Sequence, residues 1–169
     1  MDKRARVGQV YNLMRTARLN VLYYEILLSR WTKVIRLHDV LVAAAGTASP
    51  FAFLNRSSAP FRAQAWFYIT IAAGVIGVLK PILRLDRQVS LYSELVTHYR
   101  ELFHDLKCIA DDVESAKDFN TQMDQNFVRC RLKEGDLQKK EPPPNRRRIK
   151  KLQLAVEAEY NVENWWYPD

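Results

Sequence analysis

One short segment brings together a histidine, a cysteine and three carboxylates, which are side chains that bind metals or transfer protons in many sites. Helical spacing places His104, Cys108 and Asp111 on one face, with Asp105 and Asp112 beside them. Ligands on a single helix hold a transition metal only if another element supplies the rest. A solvated polar flank beside an apolar seam explains the cluster more simply, so we predict no metal site here.

The remaining sequence lacks the common catalytic motifs. It has no Gly-rich phosphate loop, no HExxH motif, no nucleophile elbow and no pair of cysteines at metal-binding spacing. Cys108 and Cys130 form no CxxC pair, and we expect both to be reduced thiols. We therefore predict a protein that is not an enzyme, has no catalytic residues and needs no cofactor.

Two apolar segments, Leu37–Leu54 and Ala65–Leu83, are joined by the polar connector Asn55–Gln64. They contain 18 and 19 residues, whereas a helix needs about 20 to cross a bilayer, so both suffice if the bilayer thins locally. The second segment contains Gly74 and Gly77. Glycine is common in transmembrane helices and unfavourable in the helices of soluble proteins. A buried core hairpin in a soluble helical protein is the alternative. We predict two transmembrane helices.

Basic residues are distributed unevenly around these two segments. Eight precede the first segment, Arg84 and Arg87 follow the second, and the connector contains only Arg56 and Arg62. By the positive-inside rule, both chain termini are cytoplasmic. A cleaved signal peptide is the main alternative, but a polar region of about 36 residues before the apolar stretch is too long for one.

Each apolar segment is flanked by an amphipathic arm whose apolar residues recur at steps of three and four. No region alternates with a period of two, so we predict an all-α protein. The first seam comprises Val7, Val10, Met14, Ala17, Val21, Tyr24, Leu28, Trp31 and Ile35. The second comprises Leu85, Val89, Tyr92, Val96, Tyr99, Phe103, Leu106, Ala110 and Val113. We expect each arm and its span to form one helix, and the two helices to pack antiparallel with Tyr24 beside Val96.

The same register places Asp39 beside Lys80. Because unpaired charges are expensive in hydrocarbon, we predict an ion pair, which acts either as a staple of the hairpin or as a gate on an ion path. Small residues at helical spacing favour close contact between membrane helices. Those that we assign to this role are Ala45, Gly46, Ser49, Ala73 and Gly77.

Each arm also has a second apolar edge. On the first arm it comprises Leu19, Leu22, Tyr23 and Ile26, and on the second Leu91, Leu95, Leu102 and Ile109. A two-helix hairpin cannot bury both edges alone. Either the hairpins form a homo-oligomer, which we expect, or the C-terminal third of the chain folds back over them.

The chain changes character after the hairpin region, residues 1–119. In the tail, residues 120–169, a helix is predicted over Asn120–Glu134. The sequence EPPPN at Glu141–Asn145 is a stiff break. A short helix follows over Ile149–Tyr160 before the aromatic end NWWYPD.

The whole excess charge of +7 belongs to one stretch of this tail. Between Arg129 and Lys151 there are ten basic and three acidic residues. The central cluster comprises Arg146, Arg147, Arg148, Lys150 and Lys151. Such a cluster binds anionic lipid headgroups, contacts a nucleotide or nucleic acid, or is a solvated linker. Trp165 and Trp166 either lie at headgroup level or cap packed helices of a neighbour.

The order of these elements resembles the SLATT families, two-transmembrane effectors associated with SMODS nucleotidyltransferases and SLOG sensor domains. The resemblance rests on the amphipathic helix Tyr11–Ile35 with YYEILLSRW, the short spans, VLKPILRLDRQ after the second span, and the helix through SELVTHYRELFHDL. It covers roughly residues 5–115 and implies no catalytic residues. What it implies is a multi-pass protein of the bacterial inner membrane.

The resemblance also implies a role in antiviral or inter-genomic conflict. We expect a membrane-disrupting or pore-forming effector that oligomerises in the lipid bilayer when a partner signals infection. The activator would be a nucleotide-signalling enzyme, a reverse transcriptase or a sensor protein. The alternative is a constitutive membrane scaffold whose arms and basic tail recruit a soluble cytoplasmic partner.

Overall fold

The computed structural model describes residues 2–54, 68, 71, 74–75, 84–161 and 165–168, with the side chains of residues 44–54 left aside. The prediction of an all-α protein is confirmed, because the described ranges contain four helices and no strand. They are α1 (Lys3–Leu54), α2 (Leu85–Ala116), α3 (Thr121–Gln138) and α4 (Arg146–Glu159).

The prediction of a multi-pass inner-membrane protein is wrong. Within the residues that the structure describes, no helix is both long enough and apolar enough to cross a membrane. Helix α1 has the length, at 52 residues, but Arg30, Lys33, Arg36 and Asp39 interrupt its described apolar surface, and charges are costly in hydrocarbon. The second predicted span, residues 65–83, lies outside the described residues except for four positions.

The two long helices differ in how they join the predicted spans. Helix α1 continues without a break to Leu54, so its arm and the first apolar segment form one helix, as expected. Helix α2 instead begins after Arg84, which has a positive φ of 47°. The Arg84 carbonyl accepts hydrogen bonds from the amides of Arg87 and Gln88 at 3.0 and 3.2 Å. Helix α2 therefore begins at this turn, and the continuity that we predicted with the second apolar segment falls on residues outside the described ranges.

Asparagine side chains begin the two C-terminal helices. The Asn120 side chain accepts a hydrogen bond from the Met123 amide at 2.9 Å. Asn145 Oδ1 accepts from the amides of Arg147 and Arg148 at 3.2 and 3.4 Å. These caps satisfy amides that have no partner within the helix. They place the start of α4 three residues before the predicted Ile149.

A first compact unit contains Met1–Ile26 and Tyr92–Asp169. Its core follows the predicted seams, with Val10, Met14, Val21 and Tyr24 of α1 and Val96, Tyr99, Leu106 and Val113 of α2 all buried. The Tyr24 ring stacks on the rings of Tyr92 and Tyr99. Its centroid lies 6.1 Å from that of Tyr92 and 5.9 Å from that of Tyr99. Tyr24 is thus level with the turn that contains Val96, as the predicted register requires.

Three of the four residues of the second apolar edge of α2 are buried within this same unit, and the fourth, Leu91, is half-buried. Leu95, Leu102 and Ile109 are at most 4% exposed. Helix α3 contributes the buried side chains of Met123, Phe127, Cys130 and Leu137 to the unit. The C-terminal third thus packs on the arms of its own chain, which is one of the two arrangements that the sequence left open. Ile26, from the second edge of α1, is still 37% exposed, and the homo-oligomer stays a prediction.

Candidate interaction surfaces

A second unit, Leu27–Leu91, carries the most exposed apolar side chains of α1. Val34, Leu37, Val40 and Leu41 are 47, 62, 63 and 44% exposed. At 3.6 residues per turn they share a face about 120° wide, which we call the apolar row. Exposed apolar side chains grouped on one face mark contact with another molecule more often than an isolated exposed leucine does.

The predicted intramembrane ion pair lies only partly within the described residues. The Asp39 carboxylate is exposed and lies 3.1 Å from His38 Nδ1 on the same helix. Lys80 lies outside the described residues, so the proposed pair stays a prediction. Of the small residues assigned to helix packing, Ala45, Gly46 and Ser49 belong to α1 but their side chains are not described, and Ala73 and Gly77 lie outside.

Helix α4 displays most of the predicted basic cluster. Arg146, Arg147, Lys150 and Lys151 are exposed and Arg148 is half-buried. Across the described chain, each ion pair with a carboxylate is made by other cations than these five. The opposite face of α4 carries the buried Val156. The helix thus presents unpaired positive charge outward.

The two acidic residues near the end of α4 hold it against α1. Glu157 pairs with Arg15 at 3.3 Å, and Glu159 pairs with Arg18 at 3.1 Å. The Arg18 guanidinium also lies 5.8 Å from the centroid of the Phe103 ring. These contacts hold the C-terminal end of α4 against α1 and involve none of the five cations of the basic cluster.

The aromatic C-terminus packs on the same chain. Trp165 stacks on Tyr11 with a centroid distance of 4.2 Å and an interplanar angle of 20°. The Lys117 ammonium lies over the Trp166 ring, 5.5 Å from the ring centroid. Burial, with nearby carboxylates, raises the pKa of Tyr11 to about 12. Both indoles are half-buried within the first unit, whereas the sequence suggested contact with lipid or with a neighbouring molecule.

A polar cluster attaches the proline segment, Glu141–Asn145, which lies between α3 and α4, to α1 and α2. Glu141 accepts a hydrogen bond from the Tyr99 hydroxyl and a second from the Asn20 amide at 3.4 Å. The same carboxylate lies near the Tyr24 hydroxyl. Burial, reinforced by this carboxylate, raises the pKa of Tyr24 and of Tyr99 far above the usual range of a phenol. Sequence reasoning missed Glu141, because only the folded chain brings it to the seam.

Within the cluster around His104, the imidazole contacts the Cys108 thiol. His104 Nε2 lies 3.9 Å from the Cys108 sulfur, one helical turn away. Over the described ranges, no three His, Cys, Asp or Glu side chains are grouped so that they could hold a metal ion. Cys108 instead lines a groove between α2 and α3 that also contains Cys130.

Comparisons of the chain with protein-family models, with curated proteins and with solved structures found no match. The resemblance to SLATT effectors therefore stays a prediction, as do the partners expected from it. The described chain offers two surfaces for contact with other molecules: the apolar row on α1 and the basic side of α4.

Proposed function

We propose that this chain is a non-enzymatic effector of a bacterial conflict system that acts by self-association through the apolar row of α1. The assembled copies damage the lipid bilayer when a partner signals infection. Association through the row needs no helix that crosses the membrane. The resemblance to SLATT effectors supports the conflict role, and the exposed row supports the association.

The observation that carries this proposal is the exposure of Val34, Leu37, Val40 and Leu41 on one face. Positions 34, 37 and 41 lie one residue off the continuation of the α1 seam, but they are themselves three and four residues apart, which is the spacing of a helix seam. Two copies of one helix offer the same row to each other, so a symmetric contact is available without any other protein. A second copy is therefore the occupant that we propose.

The functional consequence can be tested in cells. Induced expression together with the cognate activator should collapse the membrane potential, reported by a voltage-sensitive dye, and reduce viability. Leu37→Glu should abolish both effects, because it adds charge to the centre of the row. Leu132→Glu is the matched control, since Leu132 of α3 is 68% exposed but lies outside the row.

A second candidate is a scaffold that recruits an anionic partner. The unpaired cations on the outer side of α4 favour it. A scaffold should leave the membrane potential and growth unchanged on induction, even when the activator is present. That result would reject the effector proposal and favour the scaffold.

A further inference from the structure

The two cysteines of the chain lie opposite each other across α2 and α3. These helices are joined by a turn of only four residues, Lys117–Asn120, so they run antiparallel. Lys133 Nζ lies 2.7 Å from Asp105 Oδ2, which fixes the level at which the helices face each other. Cys108 is three residues after Asp105, and Cys130 is three residues before Lys133. Antiparallel packing therefore brings the two cysteines to the same level.

Both thiols line one groove of about 340 Å³ between the two helices. Asp105 and Lys133 form one end of its lining, and Asp112 and Asn126, also paired by the antiparallel register, form the other. The cysteines thus belong to adjacent walls of one cavity that solutes can enter.

The two thiols differ in accessibility. Cys108 is exposed, whereas Cys130 is 3% exposed. Burial, with the nearby Asp105 carboxylate, raises the pKa of the Cys130 thiol. Because a thiolate is the nucleophile in disulfide exchange, Cys130 should react slowly with reagents in solution. Cys108 is the sulfur that such a reagent reaches first.

We propose that Cys108 and Cys130 form a redox-active dithiol that a low-molecular-weight disulfide, RSSR, converts to an intramolecular disulfide. The Cys108 thiolate attacks one sulfur of RSSR, which forms a mixed disulfide and releases RS⁻, protonated by solvent to RSH. The Cys130 thiolate then attacks the Cys108 sulfur and displaces the second RS⁻. Two cysteine thiols are oxidised, and one RSSR is reduced to two RSH. The new bond ties α3 to α2.

Oxidised glutathione is the probe, applied to the folded, fully reduced full-length chain at low protein concentration, with intact mass as the readout. The wild type should lose the mass of two hydrogen atoms, keep no glutathione and show no free thiol. Cys130→Ala should stop at one glutathione adduct, because the resolving thiol is missing. Cys108→Ser should stay unmodified while folded and react only in denaturant.

Three results would each overturn the proposal. One is a wild type that keeps a stable glutathione adduct, as Cys130→Ala does. Another is a folded Cys108→Ser chain that reacts as fast as the wild type. The last is a disulfide that forms only between chains on a non-reducing gel. Circular dichroism of each variant before oxidation ensures that a folded chain is tested, and Cys130→Ser replaces Cys130→Ala if the latter unfolds.

Discussion

At the scale of single residues, Glu141 links the proline segment to the helical core. It accepts hydrogen bonds from Asn20 of α1 and from Tyr99 of α2. A second link is the Tyr23 hydroxyl, which accepts a hydrogen bond from the Asn145 amide at 3.0 Å. Buried polar groups of this kind are costly if they lose their partner, so the cluster holds the path of the chain between α3 and α4.

Replacing Glu141 should therefore destabilise the first unit. We expect Glu141→Ala to lower the free energy of unfolding by about 1–3 kcal/mol, because the Tyr99 hydroxyl and the Asn20 amide lose their acceptor. Urea denaturation followed by circular dichroism measures this. Glu134→Ala is the control, since within the described ranges Glu134 accepts a side-chain hydrogen bond only from Gln138 of the same helix. It should change stability by less than about 0.5 kcal/mol. Equal effects of the two variants would contradict this role of Glu141.

At the scale of elements, the helices follow from the sequence where the apolar period is clear. The seam of α1 and the seam of α2 meet as predicted because the steps of three and four persist over many turns. The ends of helices were less predictable. Gly135 was expected to end α3, but the helix continues to Gln138, because one glycine in a helix costs only about 1 kcal/mol.

The contacts of the tail could not be predicted. Trp165 packs on Tyr11 of α1, more than a hundred residues earlier in the sequence, and Glu141 accepts from Tyr99 of α2, more than forty residues earlier. No local sequence pattern encodes such pairs. Of the two predicted spans, the second lies almost entirely outside the described residues, and among those that are described no helix is long and apolar enough to cross a membrane.

Gly135 also allows a test of α3. A Cβ at this position would meet no atom within 4 Å, and its φ is not positive. We expect Gly135→Ala to raise the free energy of unfolding by roughly 0.5–1 kcal/mol, through the better helix propensity of alanine. A rise in the urea midpoint at unchanged slope would agree. A lower midpoint would show that this part of α3 is not helical in solution.

At the scale of the whole molecule, the net charge is +7. Helix α4 carries five cations that form no ion pair within the described residues. If α4 binds anionic headgroups, replacing Arg146, Arg147, Lys150 and Lys151 by glutamine should nearly abolish binding of the full chain to anionic vesicles at low salt, since each cation contributes about 1 kcal/mol near the surface. Vesicle co-sedimentation measures the binding.

A control of equal charge change exists in the same chain. Arg100, Lys133, Lys139 and Lys140 each pair with a carboxylate, so their replacement by glutamine should weaken vesicle binding much less. Equal losses in the two quadruple variants would assign the binding to net charge rather than to α4. Absence of binding by the wild type at low salt would reject the lipid assignment altogether.

Self-association through the apolar row should raise the mass of the purified full-length chain in solution. Light scattering measures this mass over a range of protein concentrations. We predict that the wild type exceeds the 19.8 kDa of one chain, that Leu132→Glu behaves like the wild type, and that Leu37→Glu and Val40→Glu have the mass of a single chain. A wild type that stays monomeric at every concentration, or row variants that associate as the wild type does, would contradict the claim.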